Sequence, residues 1–315
     1  MALPTINDVQ AIEPILTNML IGYMQDDMRF VASRVFPAVS VDKDSGTYYI
    51  MTKKYFFFDD LKPRAPGTDF GQLGFGVSTG TYSTVEFAGE IPLADEVRAN
   101  SQIPMDLESA AIRRLAQASL IRKEVAWATD FMTTNVWGTD DTTTTNWSDF
   151  AAGDPAGDVL TAKRTVSNNT GNDPNTMVVG YIVHDALARH PDVLDRIKYT
   201  RLATLGEVEG LIGPALGIEN YMVGKATYSN TNEAAAFSAS AIIDDDALVC
   251  YVDGAAGVFG ATAGKTFVWQ PGGGAGTIYT RRADEKHANM AQHKEQWDQV
   301  KTAADLGYFF SDVVD

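Results

Sequence analysis

Two stretches rich in aromatic and β-branched residues, "TYYIMTKKYFFF" (47–58) and "VSTGTYSTVEFA" (77–88), flank a tip with two prolines and four glycines between positions 63 and 76. That arrangement predicts a long two-stranded hairpin with a broad tip. With side chains alternating along a strand, Tyr48, Ile50, Phe56 and Phe58 fall on one face and Tyr49, Met51, Tyr55 and Phe57 on the other. Both faces are apolar. An isolated ribbon is marginal in water, and one that is apolar on both sides must lie on something else. A central hairpin of a large sheet would also bury both faces, but the Gly/Pro-rich tip speaks against it.

The next segment, "MDLESAAIRRLAQASLIRKEVAWATDFMTTNVW", predicts a long helix with Asp106 as its N-cap. Leu107, Ala111, Leu115, Ala118, Ile121, Val125, Ala128 and Met132 follow one another by threes and fours and form one stripe. The charges at Arg113, Arg114, Arg122, Lys123 and Glu124 fall largely elsewhere. A helix over 106–134 would be ~43 Å long, enough to act as a spine with one face against a sheet.

The remaining chain adds further elements. Residues 1–35 predict a thin N-terminal arm with one helical stretch, "ILTNMLIGYM", and "RVFPAVSV" a short strand interrupted by Pro37. The polar run "GTDDTTTTNWSDFAAGDPAGD" reads as an interdomain linker. Residues 158–270 alternate between the two periodicities, with helices expected near 158–168, 184–198 and 204–212. Strands are expected at 176–183, 220–225, 246–252 and 257–270. The tail ends in "GYFFSDVV", which predicts strands returning to the first domain.

Composition limits what such a chain can do. Its 315 residues, 45% of them hydrophobic, can bury a sizeable core, and the formal net charge of −16 argues against a surface that grips nucleic-acid phosphates. The single cysteine, Cys250, sits in the apolar run "ALVCYV", which excludes an intrachain disulfide and a cysteine-rich zinc site and predicts a buried thiol. No basic, apolar leader opens the sequence and no run of ~18 apolar residues occurs, so a soluble, reduced protein with no membrane partner is expected.

Few features of the sequence could bear chemistry. His184 and His190 are six apart, as are His287 and His293. Six positions on a helix turn through ~120° and on a strand cover ~20 Å, so neither pair converges on one ion, and Pro191 interrupts a helix through the first pair. "GATAGKT" (260–266) has Gly260 one position too close to Gly264 for a phosphate loop and is followed by a strand-like run. There is no GxSxG, and "DDD" (244–246) reads as a solvated turn. No catalytic, cofactor-binding or metal-binding residues are expected.

The order of arm, apolar hairpin, spine helix, inserted α/β domain and returning strands resembles the major capsid proteins of tailed bacteriophages, a fold shared with encapsulins and the herpesvirus capsid floor domain. Three stretches carry the likeness. "RVFPAVSVDKDSGTYYIMTKKYFF" is similar to that family's approach to its extended loop. "MVVGYIVHDALARHPDVLDRIKYT" is similar to the strand-to-helix segment of its axial domain, and "RADEKHANMAQHKEQWDQVKTAADLGYFFSDVV" to its closing strands.

The resemblance implies an α+β fold divided into an arm (1–35), a peripheral domain (36–46, 86–150 and 277–315), an extended hairpin (47–85) and an axial domain (151–276). It implies a non-enzymatic subunit that assembles with itself, through hexamers and pentamers, into an icosahedral shell around double-stranded DNA. Assembly would take place in the host cytoplasm, with separate scaffolding, portal and decoration proteins as further partners. Lys53, Lys54 and Lys62 lie in the hairpin, but no asparagine can be matched to them for the crosslink some relatives make. Inter-subunit contacts are expected from Tyr48, Tyr49, Met51, Tyr55, Phe56, Phe57 and Phe58 of the hairpin and Leu16, Leu20 and Tyr23 of the arm. An encapsulin-like compartment and a soluble α/β enzyme are the alternatives.

Overall fold

The computed structural model describes residues 25–315 apart from 52, 75, 101–106, 143–144, 199–204, 230, 232–235, 255–259, 273 and 275. Its strands are β1 (Ala38–Val41), β2 (Ser45–Met51), β3 (Val77–Ser83), β4 (Val85–Ala94), β5 (Thr139–Asp141), β6 (Thr176–Gly180), β7 (Asn220–Gly224), β8 (Thr227–Tyr228), β9 (Ser240–Ala241), β10 (Ala247–Cys250), β11 (Gly264–Trp269), β12 (Thr277–Ala283), β13 (Ala288–Lys301) and β14 (Gly307–Phe310). Its helices are α1 (Ala32–Val35), α2 (Asp95–Asn100), α3 (Leu107–Phe131), α4 (Pro155–Thr170), α5 (Tyr181–Arg189), α6 (Pro191–Ile197) and α7 (Leu205–Leu216). The fold is α+β.

Two five-stranded sheets organise the chain. The first runs β1-β11-β13-β12, with β4 also on β13. The second runs β5-β14-β10-β6-β7, and its three middle strands are buried at every position. Strands covered on both faces read as unbroken apolar runs, as "GYFF" and "ALVC" do. Among the described residues, β2 pairs only with β3, and β8 only with β9.

The spine helix α3 joins the sheets. Its first half sets Ala111 and Leu115 against Ala291 of β13 and Ile91 and Leu93 of β4. Further along, Lys123 Nζ and Ser119 Oγ each reach Glu295 Oε2 on β13 at 2.7 Å. Burial alone would raise the Glu295 carboxyl, but the hydrogen bonds and the Lys123 charge hold it below the usual range. The last turns carry Trp127 and Phe131 into the large core of the second sheet, where Phe36 meets Phe131 edge-on at 4.9 Å.

The expected stripe is only partly the buried one. Ala111, Leu115 and Met132 are buried, whereas Ile121 and Val125 are half-exposed, and Glu124, expected outside, is fully buried. The reason is local: Val31 N–H donates to both Glu124 oxygens, at 3.1 and 2.9 Å, and Ala32 N–H to Oε2 at 2.8 Å. A carboxylate serves there as cap for the short helix α1. Burial, the largest influence, nevertheless pushes its carboxyl up.

Other boundaries shift for equally physical reasons. Residues 25–35 are no thin arm, since Phe30, Val31, Ala32 and Val35 are buried. The arm residues Leu16, Leu20 and Tyr23, and the expected cap Asp106, lie outside the described residues. The expected linker holds β5 and the wholly buried Trp147, whose Nε1 donates to Asp158 at 2.9 Å. β6 stops at Gly180, where the backbone lies against the Asp244 carbonyl, 1.7 Å from where a Cβ would stand, so only glycine fits, and α5 starts at once. β14 does not return to the first sheet but lies between β5 and β10 of the second. With β11 in the first sheet, strand membership therefore crosses the boundaries expected at 151 and 276.

Candidate assembly surfaces

The hairpin is the largest departure from a monomer's surface. Among the described residues, half of the exposed large apolar side chains lie between Tyr49 and Val77. Within this stretch Leu61 and Phe70 are the most open, at 81% and 83%, and Tyr49, Met51, Tyr55, Phe56, Phe57 and Phe58 are all exposed.

Its strands are shorter than the alternation suggests. β2 ends at Met51, a 3-10 turn spans Lys53–Phe56, and among the described residues no strand follows until Val77. Tyr55, Phe56, Phe57 and Phe58 therefore belong to an irregular extension, because the Gly/Pro-rich segment opposite offers no ladder. The paired part has two different faces. Tyr48 is half-buried with its ring centroid 5.6 Å from that of Phe267, and Tyr82 stacks on the same Phe267 at 4.5 Å. Tyr49 and Met51 point the other way and are exposed.

The extension touches its own subunit at few points. Lys53 pairs with Asp305, and Phe57 lies over Gly171, the left-handed cap of α4 at φ 68°. Lys54 sits over the Phe58 ring at 5.5 Å and Arg64 over Phe70 at 4.4 Å. These cations keep part of the apolar surface in contact with solvated charge. Phe70, Leu61 and Leu73 were not singled out from sequence, although large apolar residues inside a Gly/Pro-rich tip are a readable signal.

The histidines do not gather. His184 lies buried in α5 with Nδ1 3.0 Å from the Tyr221 hydroxyl. His190 caps α6, its Nδ1 accepting from Asp192 N–H at 3.3 Å, and meets Phe150 edge-on. His287 turns the chain at φ 44°, and His293 lies on β13 beside Glu295. The "GATAGKT" segment runs straight into β11, where Lys265 pairs with Val300 in register. Cys250 is wholly buried, which pushes its thiol up to about 12.

The aspartate run is less solvated than its composition suggests. Asp245, Asp246 and Asp312 bring carboxylate oxygens within 4.8 Å of one another. Burial, opposed by the Asp312 N–H and reinforced by the neighbouring carboxylates, pushes Asp246 up to about 6. A raised carboxyl favours the folded state below its unfolded value near 3.8 and loses that contribution as pH rises through about 6. Full linkage would be ~3 kcal/mol, and solvent at this partly open group reduces it to ~1–2 kcal/mol. Asp246→Asn is accordingly expected to match the parent at pH 4 and to be more stable by that amount at pH 7.5, as denaturant titrations at the two pH values will measure.

Two sheets bridged by a spine helix, with an apolar hairpin thrown out from the first, define the class: this is the tailed-phage capsid fold, as the sequence resemblance implied. The chain is 24% identical over 233 residues to the major capsid protein of Burkholderia phage BcepMu, covering 72% of this chain and 73% of that protein. It superposes with a TM-score of 0.68 on a phage-related protein from Bordetella bronchiseptica, at 22% identity and covering 96% and 97% of the two chains. On the capsid of cyanophage P-SCSP1u the TM-score is 0.61, at 11% identity and covering 96% and 92%. No family model matches the chain.

Proposed function

We propose that this chain is a major capsid protein, a structural subunit that assembles with its own copies, as hexamers and pentamers, into the icosahedral shell of a tailed phage. The observation that carries the reading is the exposed aromatic extension from Tyr55 to Phe70, set on a fold otherwise buried around two sheets. Such a surface is costly in water and is covered when it lies across a neighbouring copy. In this reading Tyr48 holds the hairpin to its own subunit, while Tyr49, Met51, Tyr55, Phe56, Phe57 and Phe58, with Leu16, Leu20 and Tyr23 of the arm, meet neighbours. The first sheet forms the peripheral region, and the second sheet with its helices forms the axial one.

The shell would enclose double-stranded DNA without reading its sequence, consistent with a net charge of −16. Assembly would take place in the host cytoplasm with separate scaffolding, portal and decoration proteins. No helix among the described residues is long and apolar enough to cross a membrane.

Electron microscopy with size-exclusion chromatography of the purified chain tests this. Closed shells or capsomers are expected, with DNA recovered from particles made beside the phage's packaging proteins. A monomer under every salt condition, even beside those proteins, would overturn the proposal. Particles that enclose a dedicated protein cargo instead would replace the phage reading by a compartment of the encapsulin kind.

A further inference from the structure

A glycine inside a strand weakens it, so each one in a ladder needs a reason. The paired strands of the hairpin hold two, Gly46 in β2 and Gly80 in β3, and the ladder runs unbroken through both from Ser45↔Ser83 to Met51↔Val77, which excludes a bulge. Gly46 stands directly opposite Tyr82, and Gly80 opposite Tyr48. Each ring lies across its glycine: a Cβ on Gly80 would stand 2.5 Å from the Tyr48 hydroxyl, and one on Gly46 2.8 Å from that of Tyr82. Phe267 of β11 receives both rings, at 5.6 and 4.5 Å between centroids. The Tyr48 hydroxyl also donates to the Lys301 carbonyl at 3.4 Å, and beyond the ladder Lys53 pairs with Asp305 and Phe57 lies over Gly171.

The two faces of the ladder differ in how strictly they define its register. On the outer face Ser45 meets Ser83, Thr47 meets Thr81 and Tyr49 meets Thr79, and such a row pairs about as well after a shift of two residues. On the inner face the same shift sets Tyr48 against Tyr82 in one direction, ring on ring. In the other direction it sets Gly46 against Gly80, with no side chain on either strand. A shift of one residue turns the inner side chains of one strand outward. The observed register alone among these gives each tyrosine a glycine to lie across while both rings reach Phe267.

We infer that the two tyrosine–glycine pairs are a register gauge, with Gly46, Tyr48, Gly80 and Tyr82 as the positioning residues that decide which side chains the hairpin turns outward. Set in this register, the ladder presents Tyr49, Met51 and Val77 together on its exposed side, at the end that continues into the aromatic extension. The gauge is a property of the free subunit. It is read from strand pairing and the capsid reading from particles, so the failure of either is distinguishable from that of the other.

Gly80→Thr tests the gauge, because threonine is the better strand residue and would otherwise tighten the ladder. In nuclear magnetic resonance of the full chain, held as free subunits, cross-strand amide contacts report the register and hydrogen exchange reports the ladder. The parent is expected to show the contacts of the observed register. In Gly80→Thr those contacts should fade and the amides of 45–51 and 77–83 exchange at least about tenfold faster, while β6, β10 and β14 exchange as before. Tyr48→Gly combined with Gly80→Tyr again sets a ring opposite a glycine in the same register, and it should restore the parental contacts. Tyr48→Ala, which adds no bulk, should lose them and carries the test should Gly80→Thr not fold. Parental contacts and exchange in Gly80→Thr or in Tyr48→Ala would overturn the inference, as would a folded Tyr48→Gly/Gly80→Tyr chain whose ladder is as loose as that of Gly80→Thr.

Discussion

Phe56→Asp combined with Phe57→Asp is expected to abolish shell formation while leaving a folded, soluble subunit. Both rings are more than half exposed, at 63% and 60%, so the fold of the single chain loses little with them. In an assembly each would be covered, at about 2 kcal/mol per phenyl group, and the replacement adds two charges to the contact. A loss of ~4 kcal/mol per interface weakens each contact about a thousandfold. Micrographs without shells, together with an unchanged far-ultraviolet spectrum and melting temperature, are the expected result. A variant that unfolds would show that the extension supports the core, and a variant that still forms shells would show that these rings are not part of the contact.

Glu124 carries the second large effect, this time on the subunit itself. Glu124→Ala removes the acceptor from the Val31 and Ala32 N–H groups inside the core. An orphaned buried donor costs ~1–3 kcal/mol, and the cavity adds to it, so a loss of ~3–5 kcal/mol is expected. Glu124→Gln keeps an acceptor oxygen of nearly the same shape and removes a charge whose burial pushes the carboxyl up. It should stay within about 1 kcal/mol of the parent. Chemical denaturation of the two variants separates them. If both are equally mild, the carboxylate is not what ties residues 31 and 32 to the spine.

What could be read from sequence followed what is local. The spine helix and the apolar hairpin were visible because each repeats its signal over many residues. The strand end at Met51 was not, since Tyr55, Phe56, Phe57 and Phe58 continue the alternation while the segment that should pair with them is rich in glycine and proline. Periodicity describes one strand and is silent about its partner. "GYFF" announced a strand, but it was expected back in the first domain and pairs in the second sheet instead, because a strand's own pattern does not name its partner. A charge on a helix is outside by default, and Glu124 reverses that default through backbone donors more than ninety positions away. At the hairpin root, the hydrogen bonds of Ser83 N–H to Asp298 and of Gln296 to Thr84 likewise join residues distant in sequence. The unpaired tip, by contrast, was legible in its two prolines and four glycines.

The exchange of strands between the two sheets has a mechanical meaning. β11 leaves the neighbourhood of the second sheet to pair in the first, β13 extends that first sheet, and β14 then goes back to the second. The chain is stitched through both halves, and α3 ties them again from one side. A pull on either half is carried to the other along continuous covalent backbone as well as across a packed seam. In the shell proposed above, such stitching would spread load over the whole subunit.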